Sequence, residues 1–445
     1  MYISAAFNQD LFLGIRYSQP PINDLRFRVP QSLNSSWLIR SATEWPPFYV
    51  VWIHGGGLFN GGLFNGGTNN RRYNLSFIVQ NSVNVGKPMI GISFQYRLSG
   101  GATNLGFRDQ RLALHWIQEN MDAFGGDPSK VTIWGESAGR DDNLFRGGIA
   151  ESGGPVVSFF PATLPGGYNS TAYQEVYDGL VSSTSCLSTL GSGTSLSCLL
   201  SLPFSDPNAA LNTPVDGYGP FVPIIDNDLI ATYPSVQLSP GKFVRAPLLI
   251  GANTDERTSF GISFGPNGTD VNSDAQWLDV LNSINIPPDS QAAAIISYLY
   301  PNTQGLGIPL PVPLHDILFR RAVVIAPRRA TNQAWSAYQV PSYCYRFDVV
   351  VNGIPTCVGS THFQEVAFVF NNIRGESGSW VSFVVDQDPK DHGVEGVKQW
   401  PVYNSGLGGG LGIINMVFTV NVTEQCIEWH SWRGESINFI NENRL

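Results

Sequence analysis

The chain has 445 residues and a net charge of −9, with 42% hydrophobic and 14% charged residues. A chain of this length and composition can bury a large core. The acidic balance argues against a nucleic-acid partner, and without a run of 18 apolar residues the sequence predicts no membrane span. We also expect no metal site, because His54 and His115 lack the spacing of metal ligands and no C-x-x-C motif occurs.

Apolar runs alternate with helical or loop stretches along the chain, which favours a mostly parallel sheet with crossover connections. An amphipathic helix is predicted around 105–123. Because no clear linker interrupts the sequence, we predict a single α/β domain over 1–445. The Ser-, Pro- and Gly-rich stretch 155–245 is predicted to form insertions around the mouth of a site. Strand-like runs lie at 48–53, 88–96, 130–135, 147–151, 246–251 and 343–351.

Signals for export are weak in the sequence itself. Residues Met1 to Asp10 have no charged segment and too short an apolar run for a signal peptide. The chain contains N-x-S/T sequons, but its Asn, Ser and Thr content alone would give about as many, so they indicate a glycoprotein only weakly. The sequons lie at Asn34, Asn74, Asn169, Asn267 and Asn421.

A glycine-rich turn follows the first long apolar run. The run 50–53 leads into His54 and the triplet Gly55–Gly57. Successive glycines free backbone N–H groups to point at an oxyanion that develops during acyl transfer. A plain glycine loop, which is common, is the alternative interpretation.

A second motif, Gly135-Glu-Ser-Ala-Gly139, follows the strand-like run 130–134. It is the G-x-S-x-G pattern of a nucleophile elbow, in the strand-then-turn context that the pattern requires. A serine hydroxyl is a good nucleophile only when a sharp turn exposes it beside a base. Ser137 is therefore the candidate nucleophile. The alternative is a chance match, since the chain has 47 glycines. The presence of two such motifs in the correct order disfavours this alternative.

A base for this serine must come from six histidines. In folds with such an elbow the chain order is serine, acid, histidine. His54 and His115 precede Ser137, so they are excluded as the base. His362 lies on the loop after the last strand-like run, where the base is expected. His392 stands in a polar stretch typical of a solvated loop, and His430, beside two tryptophans, is typical of packing.

Two acids compete for the remaining position. The strand-like run 246–250 leads to the adjacent Asp255 and Glu256. An acidic pair after a strand is more often a partner of a helix dipole than a catalytic acid. The residues alone leave the choice between Asp255 and Glu256 open.

These motifs, together with several others, resemble the type-B carboxylesterase/lipase family, which includes cholinesterases, animal carboxylesterases and secreted fungal lipases. The similarity extends along most of the chain, and the combination of motifs is highly specific. The matching segments are Gly14 to Pro21, Leu25 to Arg28, His54 to Gly57, Tyr96 to Leu98, Asn104 to Leu114, and Phe124 to Ile133 before the elbow.

The resemblance implies an α/β-hydrolase fold, with a mostly parallel central sheet flanked by helices and, here, shortened or missing elements. It implies a triad of Ser137, Glu256 and His362, because the family's acid is the second of an Asp-Glu pair and its base lies in a G-x-x-H-x-x-E motif. It also implies three backbone oxyanion donors, the N–H groups of Gly56, Gly57 and Ala138.

Two more positions match buried sites behind the family's triad, Glu136 and Ser152. Ordinary hydrogen bonding at strand ends is an equally weighted interpretation of both. The resemblance further implies a serine ester hydrolase that needs no cofactor and acts, as a monomer, on a small-molecule ester. Aromatic and apolar loops favour a neutral, hydrophobic ester. Family members are usually secreted, so an extracellular location is implied, although no signal peptide is predicted.

The five cysteines divide into two groups. Cys186 and Cys198 match the family's second disulfide, which closes a small surface loop. Cys344 and Cys357 flank the turn before His362 and could pair with each other. Alternatively, these two and Cys426 are free buried thiols, because the total is odd.

Several departures from the family pattern bear on activity. No cysteine precedes Cys186, so the disulfide loop that forms the lipase lid is absent, which weakens a cholinesterase or interfacial-lipase interpretation. About eleven residues join the elbow to the run 147–151, fewer than a parallel crossover normally needs, so most of the elbow helix is expected to be missing. Arg257 replaces the glycine after the acid, at a cost of roughly 1–2 kcal/mol if that position needs positive φ.

Three functions are consistent with the sequence. The first is an active carboxylic ester hydrolase, favoured because all triad and oxyanion residues occur in order. The second is a catalytically impaired relative, favoured by the missing elbow helix and lid loop. The third is a non-enzymatic adhesion or binding module, which retention of the candidate triad disfavours.

Overall fold

A computed structural model of the chain describes residues 2–34, 48–56, 70–98, 104–136, 144–154, 170–211, 223–256, 273–283, 286–301, 314–354, 359–371, 377–393, 398–403, 414–419, 426–429 and 434–443. Within them, eight strands form one central sheet and two strands form a small antiparallel hairpin. Helices pack against the central sheet, as the sequence predicts.

The strands predicted from the apolar runs are all present as β3 to β8. Four others, of three to five residues each, were not predicted. The predicted run 343–351 ends early, at Phe347. The strands are β1 Tyr2–Ser4, β2 Gln9–Leu11, β3 Phe48–Ile53, β4 Met89–Phe94, β5 Val131–Glu136, β6 Gly147–Glu151, β7 Leu248–Asn253, β8 Ser342–Phe347, β9 Ile414–Phe418 and β10 Cys426–Trp429.

The central sheet has the strand order β4-β3-β5-β6-β7-β8-β9-β10. All neighbours are parallel except the edge pair β9 and β10. Strands β3, β5, β6 and β7 therefore lie inside the sheet, which explains why their sequences are nearly continuous apolar runs. Their carboxyl ends, where the candidate site residues occur, meet at one edge of the sheet.

The helices lie between the strands in the chain, as the alternating pattern predicts. The amphipathic helix predicted around 105–123 ends at Asn120 and continues as a 3₁₀ turn to Phe124. The helices are α1 Leu75–Asn84, α2 Leu105–Asn120, α3 Thr171–Ser182, α4 Ser195–Ser201, α5 Ser205–Leu211, α6 Pro234–Leu238, α7 Asp274–Ser283, α8 Gln291–Leu299, α9 Leu314–Ala337, α10 Val366–Val369, α11 Ser377–Asp386 and α12 Gly434–Asn443.

Alternate residues of each strand enter two different clusters. Tyr49 and Val51 of β3 pack with α2, whereas the alternate residues Val50 and Trp52 belong to an aromatic cluster that includes Trp134 and side chains of α10 and α11. The Trp52 and Trp134 ring centroids lie 4.7 Å apart, edge to face. Large aromatic rings bury much apolar area per residue, so this cluster contributes strongly to the hydrophobic stabilisation of the sheet.

The connection between β5 and β6 is short. Strand β5 ends at Glu136 and β6 begins at Gly147, so ten residues join two parallel neighbours. Of these, Arg146 donates its N–H to the Val131 carbonyl over 2.8 Å, and Leu144 packs beside α2. The expected loss of the elbow helix concerns 137–143, which lie outside the described residues, as does Arg257.

The stretch 155–245 is described over 170–211 and 223–245. Helices α3 to α5 form a cluster of their own that includes Phe27 of the N-terminal segment. Arg26 donates to the Leu199 and Leu202 carbonyls, over 3.2 and 2.7 Å. That this stretch surrounds the mouth of the site, within one domain over 1–445, remains a prediction.

The disulfide between Cys186 and Cys198 is present, as the resemblance implies. Cys344 carries a free, buried thiol, so the suggested bond between Cys344 and Cys357 does not form. Cys357 and the side chain of Cys426 lie outside the described residues. No helix in the described part of the chain is both long and apolar enough to cross a bilayer.

Replacing both Cys186 and Cys198 by Ala should lower the free energy of unfolding by about 2–4 kcal/mol, because the bond restricts the unfolded chain. The measurement is equilibrium urea unfolding. As a control, a reducing agent should destabilise the natural protein but leave the double variant unchanged. Equal unfolding midpoints for the two proteins would contradict this expectation.

Candidate active site

A buried histidine fixes the turn that follows β3. The His54 ring stacks on Tyr96, with centroids 4.3 Å and planes 10° apart, and the Tyr96 hydroxyl donates to the His54 carbonyl over 2.6 Å. Burial lowers the pKa of His54, so the ring is neutral at pH 7. Gly56 follows with φ of +109°, which disfavours a side chain. His54 thus holds the turn in place, and Gly57 lies outside the described residues.

The chain reaches Ser137 directly from the end of β5. The last residue of that strand, Glu136, pairs in register with Glu151 of β6, and β3 lies on the other side. Ser137 and Ala138 lie outside the described residues, and only the backbone of Glu136 is described. Because parallel strands end at one edge, the end of β5 lies beside the end of β3, where the glycine turn begins.

The structure brings Glu256 and His362 together. Glu256 lies just beyond β7 and is 0% exposed, and His362, on the loop after β8, is 3% exposed. The His362 Nδ1–H donates to Glu256 Oε2 over 2.5 Å. The other carboxylate oxygen, Oε1, accepts the backbone N–H of Asn253 over 2.6 Å. Two strong donors compensate the burial of this carboxylate.

Asp255, the other acid of the pair, faces the same loop but not the imidazole. Its Oδ2 accepts the backbone N–H of Ser360 over 2.8 Å. The geometry therefore separates the two acids that the residue pattern alone left open, since the Glu256 carboxylate, which the resemblance implies as the acid, contacts His362, whereas that of Asp255 contacts Ser360.

A third buried acid, Glu365, lies behind this pair. Its Oε1 accepts the Ser152 hydroxyl over 2.9 Å and its Oε2 accepts the Asn253 side-chain amide over 2.5 Å. Burial and the charge of Glu256 raise the pKa of Glu365 to about 7. The sequence signal was present, because Glu365 is the last residue of the G-x-x-H-x-x-E motif, but the residue pattern did not indicate its role.

Ser152, which donates to Glu365, has a strained backbone conformation. It is buried, with φ of +51°, a backbone conformation that a non-glycine residue adopts only where its surroundings impose it. Asn253 joins the network to the histidine loop, because its side-chain amide also donates to the Thr361 carbonyl over 2.7 Å. Asn253 was not singled out from the sequence, since an amide at a strand end carries no distinctive pattern.

His392 was predicted to lie in a solvated loop, but it is buried, and burial lowers its pKa. The polar residues around it misled that prediction. His430 lies outside the described residues. In the part of the chain that the structure describes, no three His, Cys, Asp or Glu side chains are grouped so that they could hold a metal ion.

Comparisons with known proteins give matches along most of the chain. The profile of the Carboxylesterase family matches residues 49–408. Secreted lipase 1 of Botryotinia fuckeliana is 30% identical over 422 residues, which cover 80% of this chain and 68% of that protein. Secreted triacylglycerol lipase LIP1 of Gibberella zeae is 29% identical over 407 residues, which cover 79% of this chain and 65% of that protein.

A solved structure has the same fold. The crystal structure of Aspergillus niger EstA matches with a TM-score of 0.74 and 21% identity, over 97% of this chain and 94% of that chain. The sheet order and this match define an α/β-hydrolase, and the family profile and lipase relatives place it in the class of serine ester hydrolases. The chain belongs to the carboxylesterase family.

The raised pKa of Glu365 predicts a pH-dependent stability. Between its ordinary value of 4.5 and about 7, Glu365 is protonated in the folded state but ionised in the unfolded state. The free energy of unfolding should therefore fall as pH rises through this window. In Glu365→Gln that fall should be reduced, which urea unfolding at pH 5, 6, 7 and 8 would measure.

A matched control is Glu428→Gln. Hydrogen bonds from Arg346 lower the pKa of Glu428 despite its partial burial, so this residue is ionised in both states over the same window. Glu428→Gln should keep the natural pH slope. An unchanged slope in Glu365→Gln would contradict the assignment of the protonated carboxyl to Glu365.

Proposed function

We propose that this chain hydrolyses neutral, hydrophobic carboxylic esters through an acyl-enzyme formed on Ser137. The observation that carries the proposal is the 2.5 Å contact between the buried Glu256 and His362 at the carboxyl edge of the sheet. A neutral imidazole with one nitrogen bonded to a carboxylate has its other nitrogen set as a base. The elbow motif at the end of β5 supplies the hydroxyl on which that base acts.

The reaction then proceeds in two acyl-transfer steps. His362 removes the proton of Ser137 as its oxygen attacks the ester carbonyl, and Glu256 stabilises the imidazolium that forms. The N–H groups of Gly56, Gly57 and Ala138 bind the oxyanion of the tetrahedral intermediate. His362 returns the proton to the departing alcohol. A water molecule, deprotonated by the same imidazole, then attacks the acyl carbon. The bond from that carbon to the Ser137 oxygen breaks, the imidazolium returns the proton to Ser137, and the acid is released.

Glu256 and Glu365 fit this mechanism only if their charges differ. Glu256 must be ionised to stabilise the imidazolium, and the charge it carries is one reason that the pKa of Glu365 is raised. A protonated Glu365 adds no second negative charge beside the pair. Ser152 and Asn253 hold that neutral carboxyl in place through hydrogen bonds to its two oxygens.

The names of two relatives support the proposed substrate and location. Two of them are named as secreted lipases, one of them a triacylglycerol lipase, so we propose that this chain acts outside the cell on an ester with an apolar acyl group. The ester is a small molecule, and we expect the chain to act as a monomer. The proposed ester substrate would be contradicted if purified protein hydrolysed none of a series of p-nitrophenyl esters of increasing acyl length.

A fluorophosphonate probe tests the nucleophile directly. The natural chain should be labelled at one equivalent, because an assembled base and oxyanion site activates the serine toward phosphorus. Ser137→Ala should not be labelled, whereas Ser129→Ala, a change in the 3₁₀ turn before β5, should leave labelling intact. A folded chain that resists the probe would favour the catalytically impaired interpretation.

The acid is tested by Glu256→Gln. The amide cannot hold the imidazole in the required tautomer or stabilise its charge, so kcat should fall by about 10³–10⁴-fold with little change in KM. Steady-state kinetics on a p-nitrophenyl ester would measure both constants. Glu428→Gln, a half-buried glutamate paired with Arg346, is the matched control. A loss below about tenfold in Glu256→Gln would contradict the role of Glu256.

A further inference from the structure

Two consecutive acids bind two different parts of one loop. Glu256 contacts the imidazole of His362, whereas Asp255 contacts the backbone two residues before it. The Asp255 carboxylate accepts the Ser360 N–H over 2.8 Å, and the Asp255 N–H donates to the Ser360 carbonyl over 2.8 Å. Asp255 is only 8% exposed. These two hydrogen bonds connect the start of the 359–362 loop, called here the histidine loop, to the segment after β7 that carries the two acids, called here the acid segment.

Gly359, the residue before Ser360, leaves space for the Asp255 carboxylate because it has no side chain. Gly359 has φ of +77°, and a Cβ built on it would lie 1.9 Å from Asp255 Oδ2. The carboxylate oxygen thus occupies the space in which any other residue would place its side chain. Glycine is required here for two reasons, the backbone conformation and the close approach of Asp255.

The other bonds of this loop act on different residues. The Ser360 hydroxyl donates to the Phe347 carbonyl over 3.1 Å, and Thr361 accepts from Asn253. The His362 N–H reaches the Glu256 carbonyl only over 3.4 Å. Asp255 therefore provides two short contacts between the acid segment and the histidine loop, both to the Ser360 backbone, next to the 2.7 Å bond from Asn253 to Thr361. A charged acceptor makes a stronger bond to an N–H than a neutral one does.

We propose that Asp255 is a positioning residue, which holds the 359–362 loop so that His362 Nδ1 stays within hydrogen-bonding distance of Glu256. The inference rests on the proposed function for its catalytic meaning. Without the Asp255 bond, the loop shifts and the Glu256–His362 contact lengthens. Misplacement by about 1 Å can cost around 10²-fold in rate, so the effect is measurable.

The first experiment compares Asp255→Ala with the natural chain by two readouts. One is the far-downfield proton NMR resonance of His362 Nδ1–H, identified by its loss in Glu256→Gln. The other is the rate of fluorophosphonate labelling. In Asp255→Ala the resonance should weaken or shift, and labelling should slow by about 10–100-fold. Asp255→Asn retains an acceptor of the same shape, so it should recover most of that loss.

Asp226→Ala is the matched structural control. Asp226 is also buried and its carboxylate caps the backbone N–H groups of Asp228 and Ile230. Its loss should lower the free energy of unfolding while the His362 resonance and the labelling rate stay unchanged. An equal effect of Asp226→Ala on the two site readouts would assign the Asp255 effect to general destabilisation and overturn the proposal.

Gly359→Ala provides a second route to the same displacement. Its Cβ would push the carboxylate away from Ser360, so it should reproduce the NMR and labelling changes of Asp255→Ala even if that variant does not fold. In the double variant the clash is removed while the strain of the positive φ remains, so the two effects should be less than additive. Additive effects would contradict a shared contact.

The outcomes separate the two proposals. A natural chain that shows the resonance but resists the probe would defeat the proposed function, while the NMR comparison would still decide the role of Asp255. A natural chain that is labelled, with Asp255→Ala unchanged in both resonance and labelling rate, would overturn the positioning role alone.

Discussion

The buried carboxylate of Glu256 is the constraint on which the site depends. A carboxylate removed from water is tolerated only where donors replace the lost hydration. Here the donors are the His362 imidazole and the Asn253 backbone N–H, both within 2.6 Å. Each donor must be held in place by the fold, so the ends of β7 and β8 have to meet with little freedom. Much of the local structure serves that requirement.

The parallel sheet meets this requirement through register. Strands β7 and β8 are hydrogen-bonded neighbours from Leu248 opposite Ser342 to Asn253 opposite Phe347. Both chains therefore leave the sheet at the same edge, one toward Glu256 and the other toward His362. The same edge receives β3 and β5, from which the glycine turn and the elbow follow. A one-residue slip would send alternate side chains to the wrong face.

Three buried acids within one network have three different tasks because their surroundings differ. Asp255 accepts from the Ser360 N–H, Glu256 accepts from an imidazole, and Glu365 receives a hydroxyl and an amide. Burial beside a charged neighbour favours the protonated form of Glu365. The number of buried acids therefore does not give the charge of the site, since hydrogen-bond partners and neighbouring charge determine which of them are ionised.

The sequence by itself determined the strands β3 to β8, the family, and the short set of candidates that includes Ser137 and His362. Strong apolar runs and glycine motifs are local signals, so they can be read without the fold. It could not show that Glu365 is buried beside Glu256, that Ser152 contacts it, or that His392 is buried. The residue pattern left both acids of the 255–256 pair open and the family resemblance implied Glu256, but only the tertiary structure shows the Glu256 carboxylate in contact with the imidazole. Glu256 and His362 are 106 positions apart, and their contact depends on the pairing of β7 with β8, which no local pattern encodes.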